Sequence, residues 1–400
     1  MQNHYSLTPN AFRQYVAQVG EIDNIMIDVQ SAEGIYVYDT SGKQYIDMLS
    51  GICVANIGHR HPAVMKAVKD QMERYMHVMV YGEFVQSPQY KYAKALIDVL
   101  PEGLDKIFIV NSGSEAIEGA VKAAKIFTKR KEIISFTNSY HGSTTVGVSM
   151  MSEEKFRKPF EPLLPQCRQI RFNDEEDLMK ITENTACVVA EIMPVGCSVT
   201  LPENDFIKKL RHRTKEVGAV LILDEIQTGF GRTGKLFAFE HYDIVPDVIC
   251  IAKSMGGGMP IGGFVGSRAI MDSLDNHHPL IGHASTFGGH PLSCAAASAV
   301  LETLTKEKII DDVENKGLYL RNKLVHPQIK SVKGKGLFCS IALQQPERWQ
   351  EILIAMFRNG IITGTHLFNS GALSIKPPLT ITYEQMDQAC QRIIAAFDTL

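Results

Sequence analysis

The chain has 400 residues, 45% of them hydrophobic, and its 41 Lys and Arg against 44 Asp and Glu give a formal net charge of −3 at pH 7. So even a balance argues against nucleic acid or an anionic membrane as the partner. A chain of this length exceeds what one hydrophobic core usually holds, so two domains are expected.

In chain order, apolar runs predict strands at 106–110, 132–136, 186–191, 218–223, 248–251 and 262–265, with helical spacing at 116–128 and 206–215. Strand and helix in alternation imply an α/β fold with a mainly parallel sheet and helices on both faces. Residues 300–400 shift towards helix with exposed Lys and Glu, with short strands expected at 337–342 and 372–376. Eight cysteines (53, 167, 187, 197, 250, 294, 339 and 390) lie scattered without a C-x-x-C pair and read as reduced core thiols. The opening Met1-Gln2-Asn3-His4-Tyr5-Ser6 lacks the basic head and apolar run of a signal peptide, and no apolar stretch reaches about 18 residues. The expectation is a soluble, cytoplasmic protein.

Two strand ends carry the chemistry. Leu221-Ile222-Leu223 reads as a strand buried on both faces and stops at Asp224; Val248-Ile249-Cys250-Ile251 repeats the pattern and stops before Lys253. In open α/β sheets the carboxyl ends of strands form the ligand crevice, so both residues are expected to face a small molecule. A buried lysine has a lowered pKa and a free amine at neutral pH, which makes Lys253 a candidate Schiff-base nucleophile. Ser112-Gly113-Ser114 leaves the strand at 106–110 and opens a helix, where free N–H groups and the positive helix end could seat a phosphate. Taken alone, that turn reads first as an ordinary Ser-capped helix start; set beside the lysine and aspartate motifs, the phosphate reading prevails.

The strings 221–234 (LILDEIQTGFGRTG) and 251–263 (IAKSMGGGMPIGG), together with Gly58-His59-Arg60-His61-Pro62, Asn111-Ser112-Gly113-Ser114-Glu115-Ala116, Tyr140-His141-Gly142, Ser285-Thr286-Phe287-Gly288-Gly289 and Pro377-Pro378-Leu379-Thr380, resemble the class III aminotransferases. The resemblance runs from about Gly34 to the carboxyl terminus. It implies a fold type I transferase dependent on pyridoxal 5′-phosphate (PLP). Such a fold has a large domain (51–299) around a mainly parallel seven-stranded sheet, and a small α+β domain formed by 1–50 together with 300–400.

The resemblance also implies roles. Lys253 would carry the cofactor as a Schiff base and move a proton. Asp224 would pair with the pyridine nitrogen so that the ring can absorb electrons, Gln227 would face the phenolic oxygen, and Tyr140 would stack on the ring beside His141. Ser112, Gly113 and Ser114 would hold the phosphate, joined by Thr286 from a neighbouring subunit, so that the active site would be shared within a homodimer.

Two departures bear on substrate. Aligned from Gly196, Cys197 stands where many members have a glutamate, and Glu191 falls one position from another, so it carries over weakly. Ser374 occupies the place of the arginine that binds the α-carboxylate of 2-oxoglutarate in many members. Lys376, two residues on and on the same strand face, or Arg171, is a candidate replacement; Lys376 is equally a solvated charge at a strand end.

The reading is an aminotransferase that passes an amino group from an amino acid, ω-amine or diamine to a small oxo acid. A decarboxylating transaminase or an aminomutase of the same family is the alternative. A PLP-binding protein without turnover is disfavoured, because lysine, aspartate and phosphate turn are all retained. No metal is expected, since the spacings of His59, His61, His141 and His290 match no ligand pattern.

Overall fold

The computed structural model describes residues 12, 14–17, 25–80, 82, 84–275 and 283–400. Its centre is a seven-stranded sheet built from β1 (Lys106–Val110), β2 (Glu132–Phe136), β3 (Cys167–Ile170), β4 (Thr185–Glu191), β5 (Val220–Asp224), β6 (Val248–Ile251) and β7 (Gly262–Gly266), in the order β1-β7-β6-β5-β4-β2-β3. Pairings from β6 through β5, β4 and β2 to β3 are parallel, and β7 runs antiparallel to both of its neighbours. Every residue of β4, β5, β6 and β7 is buried. This is the reason their sequences are continuous apolar runs rather than alternations.

The long helix Gly113–Thr128 covers one face through Ala116, Ile117, Ala120, Val121, Ala123 and Ala124, all buried. Small side chains at helical spacing let the backbone lie close to the sheet. Two smaller four-stranded sheets complete the described residues. In one, Gln44–Asp47 pairs with Ile361–Ile362 in parallel, tying the amino-terminal part of the chain to the carboxyl-terminal part. The other joins Ile329–Lys335, Phe338–Leu343, Ala372–Ile375 and Gly364–Thr365. All eight cysteines are free thiols, six of them buried. Among the described residues no helix is long and apolar enough to cross a membrane.

Strand positions follow the apolar runs closely. The exception at 218–223 has a local cause: Gly218 sits at φ +68° and closes the helix Phe206–Val217, donating to Thr214 and Lys215 carbonyls, so the strand begins only at Val220. The strand β3 was not anticipated, because Cys-Arg-Gln-Ile is too short and too polar to stand out.

Next to the sheet, Ser50, Gly51, Ile52 and Cys53 all take left-handed backbone angles, with φ of 49°, 58°, 65° and 60°. Such a turn costs about 1–2 kcal/mol for each non-glycine residue, so its surroundings must hold it. Asp47 does so from one side, accepting the Leu49 and Gly51 N–H groups at 2.8 and 3.1 Å. Arg232 does so from the other. Its side chain is fully buried and donates to Ser50 Oγ at 3.0 Å, to Asn56 Oδ1, to the Leu337 carbonyl at 2.9 Å and to the Pro377 carbonyl.

Arg232→Ala should therefore lower the free energy of unfolding by about 3 kcal/mol or more, since buried acceptors lose their donors. Arg232→Lys should recover little of it, for lack of the planar fork. Urea unfolding followed by circular dichroism measures both.

Candidate active site

The parallel register places three ionisable residues along one sheet edge. Glu191 ends β4, Asp224 ends β5, and the two are Cα partners. Asp224 is in turn the partner of Cys250 in β6, and Lys253 follows two residues beyond that strand's end. All three line one cavity of about 380 Å³ with Ser112, Gly113, Ser114, Tyr140, His141 and Gln227. Of the thirteen site candidates from sequence, nine thus converge on a single space.

Asp224 is buried and fully engaged on its protein side. Oδ2 lies 2.8 Å from His141 Nδ1, and Oδ1 accepts the Ile226 N–H at 3.0 Å. Burial works against a charged imidazole at His141, but the Asp224 hydrogen bond and charge outweigh it and raise the His141 pKa. Glu191 is buried beside them. Desolvation first, then repulsion from Asp224, lifts its pKa well above the usual carboxylate range, although His141, Lys253 and the Tyr140 N–H, 2.9 Å from Oε1, pull the other way.

Lys253 is half-buried and has its backbone at φ +50°. A non-glycine residue in the left-handed region is strained, and such strain collects at functional positions. Desolvation lowers the pKa of its ammonium, opposed by the nearby Cys53, Asp224 and Glu191. The free amine is accordingly easier to reach than in a surface lysine.

At the opposite end lies an anion cradle. Ser112 caps the helix Gly113–Thr128, its Oγ accepting the Glu115 N–H at 3.2 Å. The Gly113 and Gly142 backbones come close enough that a Cβ at Gly113 would stand 2.7 Å from Ile226 Cδ1, and one at Gly142 2.3 Å from Ser114 Oγ. Together they leave a helix start lined by bare backbone and two serines, the chemistry a phosphate needs. Asn111 bonds Glu115 and also reaches Ser285 Oγ at 2.6 Å, which brings the 285–289 turn to the cradle. Thr286 on that turn is exposed and outside the cavity lining of its own chain.

The sequence profile described as Aminotransferase class-III matches residues 17–397. The chain belongs to the class III aminotransferases. It is 35% identical over 369 residues to the acetylornithine aminotransferase of Methanopyrus kandleri, covering 91% of this chain and 92% of that one. It is 36% identical over 373 residues to the [LysW]-aminoadipate semialdehyde/glutamate semialdehyde transaminase of Sulfolobus acidocaldarius, covering 91% and 92%. The fold superposes on an ornithine aminotransferase of Toxoplasma gondii, whose structure has PLP at partial occupancy in its active site, with a TM-score of 0.90 at 28% identity over 98% of this chain and 93% of that one. This aminotransferase is a PLP-dependent enzyme of fold type I that catalyses transamination. The cavity fits that cofactor: an anion cradle stands at one end, a carboxylate with a buried histidine behind it lies in the floor, and a desolvated lysine is in the wall.

Four substrate or partner candidates lie elsewhere. Arg171 is corrected outright: its guanidinium is mostly exposed and tied to Asp174 and Asp177 at 2.7 and 3.0 Å, and it does not line the cavity. The cause is the neighbouring helix Glu175–Leu178, whose acidic start draws the arginine away. Ser374 is buried in Ala372–Ile375 with its hydroxyl unpartnered. Lys376 is buried too, at 3% exposure, which overturns the solvated reading; its Nζ lies 3.2 Å from Gln227 Oε1 behind the cavity wall. Sequence reasoning missed the apolar wall made by Val54, Ile226, Met259, Pro260 and Ile261, whose side chains carry no chemical signal.

Arg171→Ala should leave the Michaelis constants for 2-oxoglutarate and pyruvate within about twofold of the parent. It should cost stability instead. Asp177 has a folded pKa held far below its unfolded value, first by the Arg171 hydrogen bond. Its contribution is present above the unfolded pKa of about 3.9 and disappears as pH falls through the folded one. The gap between parent and variant in thermal unfolding should thus be wide at pH 7 and shrink towards pH 2.

Proposed function

We propose that this aminotransferase moves an amino group from the terminal amine of an ω-amino acid or diamine, or from an α-amine, to a small oxo acid, with Lys253 as its central residue. The carrying observation is that a desolvated lysine shares one cavity with the Asp224–His141 pair and a phosphate-type cradle. The relatives' names support a terminal amine, since acetylornithine and ornithine aminotransferases are among them.

When bound, PLP supplies an aldehyde that condenses with primary amines and a ring that withdraws electrons from the bond being broken. The protein's share is placement and proton traffic. Ser112, Gly113 and Ser114 would hold the phosphate; Tyr140 would cover the ring; Asp224, oriented by His141 Nδ1 and the Ile226 N–H, would take the ring nitrogen; Gln227 would meet the phenolic oxygen. Lys253 holds the cofactor at rest and, once free, takes and returns a proton at its Nζ. Glu191 fixes the Tyr140 backbone from below.

The working unit is proposed to be a cytoplasmic homodimer, without nucleic acid or membrane, in which residues 1–50 and 300–400 act as a small domain beside 51–299. Met76, Val78, Met79, Phe84, Val85, Tyr90 and Phe287 are exposed apolar side chains. Gln89 Nε2 donates to the Gly289 carbonyl at 2.9 Å, so the 87–97 helix and the 285–289 turn share this face. A contiguous apolar patch on an enzyme surface marks an association site. Burying it against a second copy would bring Thr286 to the neighbour's cradle.

Borohydride reduction of the PLP-loaded protein should leave the cofactor label on the peptide carrying Lys253, and Lys253→Ala should leave none and no amino transfer. A label on another lysine would refute the assignment. Asp224→Asn should keep PLP bound while kcat/KM falls on the order of a hundredfold or more.

Thr286→Val should weaken PLP binding about tenfold through the lost hydroxyl donor to a charged oxygen, with the dimer intact by sedimentation. An unchanged dissociation constant would remove Thr286 from the shared site.

A further inference from the structure

One buried charge is left over once the cofactor contacts are assigned. Lys376 follows the strand Ala372–Ile375, and its ammonium has no carboxylate partner among the described residues; its contacts are Gln227 Oε1 at 3.2 Å and the Phe338 ring, 4.5 Å from the centroid. Its backbone is clamped on both sides. The N–H donates to the Met48 carbonyl at 2.6 Å, the carbonyl accepts from Ser50 Oγ, and the next carbonyl, of Pro377, accepts from Arg232. The amine is therefore placed by the same knot that holds the left-handed 50–53 turn.

We propose that Lys376 is a positioning residue that locks the Gln227 amide with its NH2 group turned into the cavity. The argument is one of hydrogen-bond inventory. An ammonium has three donors and no acceptor, whereas a glutamine amide has one acceptor oxygen and two N–H donors. Only one of the two amide orientations can meet Lys376: the oxygen must face Nζ, and a flip would set N–H against N–H. Gln227 lines the cavity, and its bond to Lys376 is the sole side-chain hydrogen bond it makes among the described residues. Its Nε2 is thus delivered as a donor to whatever occupies the cavity. Burial lowers the Lys376 pKa to about 8, so near pH 7 the group is chiefly the donor-only ammonium; Cys53, Lys253, Arg232 and Glu191 are the titratable or charged groups close to it.

The inference rests on the PLP reading of the cavity, in which Nε2 faces the phenolic oxygen. A donor there stabilises the oxygen's anion. Without it the bound chromophore should hold its proton to higher pH.

The test is a pH titration of the visible absorbance of PLP bound to full-length protein, in the parent, Lys376→Met, Gln227→Ala and the double variant. Lys376→Met should move the midpoint up by about one pH unit, tenfold in proton affinity. In the Gln227→Ala background the same change should add nothing, because residues acting through one another are non-additive. An undisplaced midpoint in Lys376→Met overturns the proposal. So does a full shift in the Gln227→Ala background, which would mean that the charge acts directly. Should Lys376→Met fail to fold by circular dichroism, Lys376→Gln, which can accept as well as donate and so frees the flip, is read by the same two criteria. A parent protein that develops no PLP absorbance would remove the cofactor reading itself, a result distinct from a normal parent titration that Lys376 leaves unmoved.

Discussion

Strand register is the constraint from which the active site follows. Backbone hydrogen bonds between β4, β5 and β6 set Glu191 opposite Asp224 and Asp224 opposite Cys250, so the first charged residue after each apolar run arrives at the same edge. A slip by one residue would turn each side chain to the other face of the sheet. Burial on both faces forbids that slip, because it would exchange one set of packed apolar side chains for another of different shape. Catalytic geometry here is a by-product of core packing.

Gathering ionisable groups in a buried space has consequences that the residues divide among themselves. Lys253 moves towards the neutral amine and Glu191 towards the neutral acid, both chiefly through desolvation. His141 moves the other way because the Asp224 contact outweighs burial. The site therefore sets a His141–Asp224 hydrogen bond beside two groups shifted towards their neutral forms, which suits a reaction whose central event is proton movement.

The large sheet was legible because its strands are written as mostly apolar runs, and 106–110, 132–136 and 248–251 match the observed strands to the residue. Boundaries moved where a single residue's backbone decides, as at Gly218. The short strands of the smaller sheets were less visible: Ile361–Ile362 and Gly364–Thr365 have two residues each, too few for any period. In the site, the groups that lie on strand ends and on the phosphate turn were legible from their position after apolar runs. The environment of lysine and arginine was not. Arg171 and Lys376 look alike in sequence, each a charge directly after an isoleucine, yet one is held outside by Asp174 and Asp177 and the other is sealed behind Gln227. What separates them is tertiary: the acidic helix start beside Arg171, and the Met48 and Ser50 contacts that fasten the Lys376 backbone.

Arg232 touches Ser50 and Asn56 far upstream and Leu337 and Pro377 far downstream, the last 145 positions along the chain. During synthesis those downstream carbonyls emerge from the ribosome only after the strands bearing Asp224 and Lys253 have long been outside. Lys376, which backs Gln227 from behind the cavity wall, is then added to the site after every residue that lines it. A chain ending just before Lys376 would carry every residue of the cavity lining yet leave Gln227 without the ammonium that its amide oxygen meets.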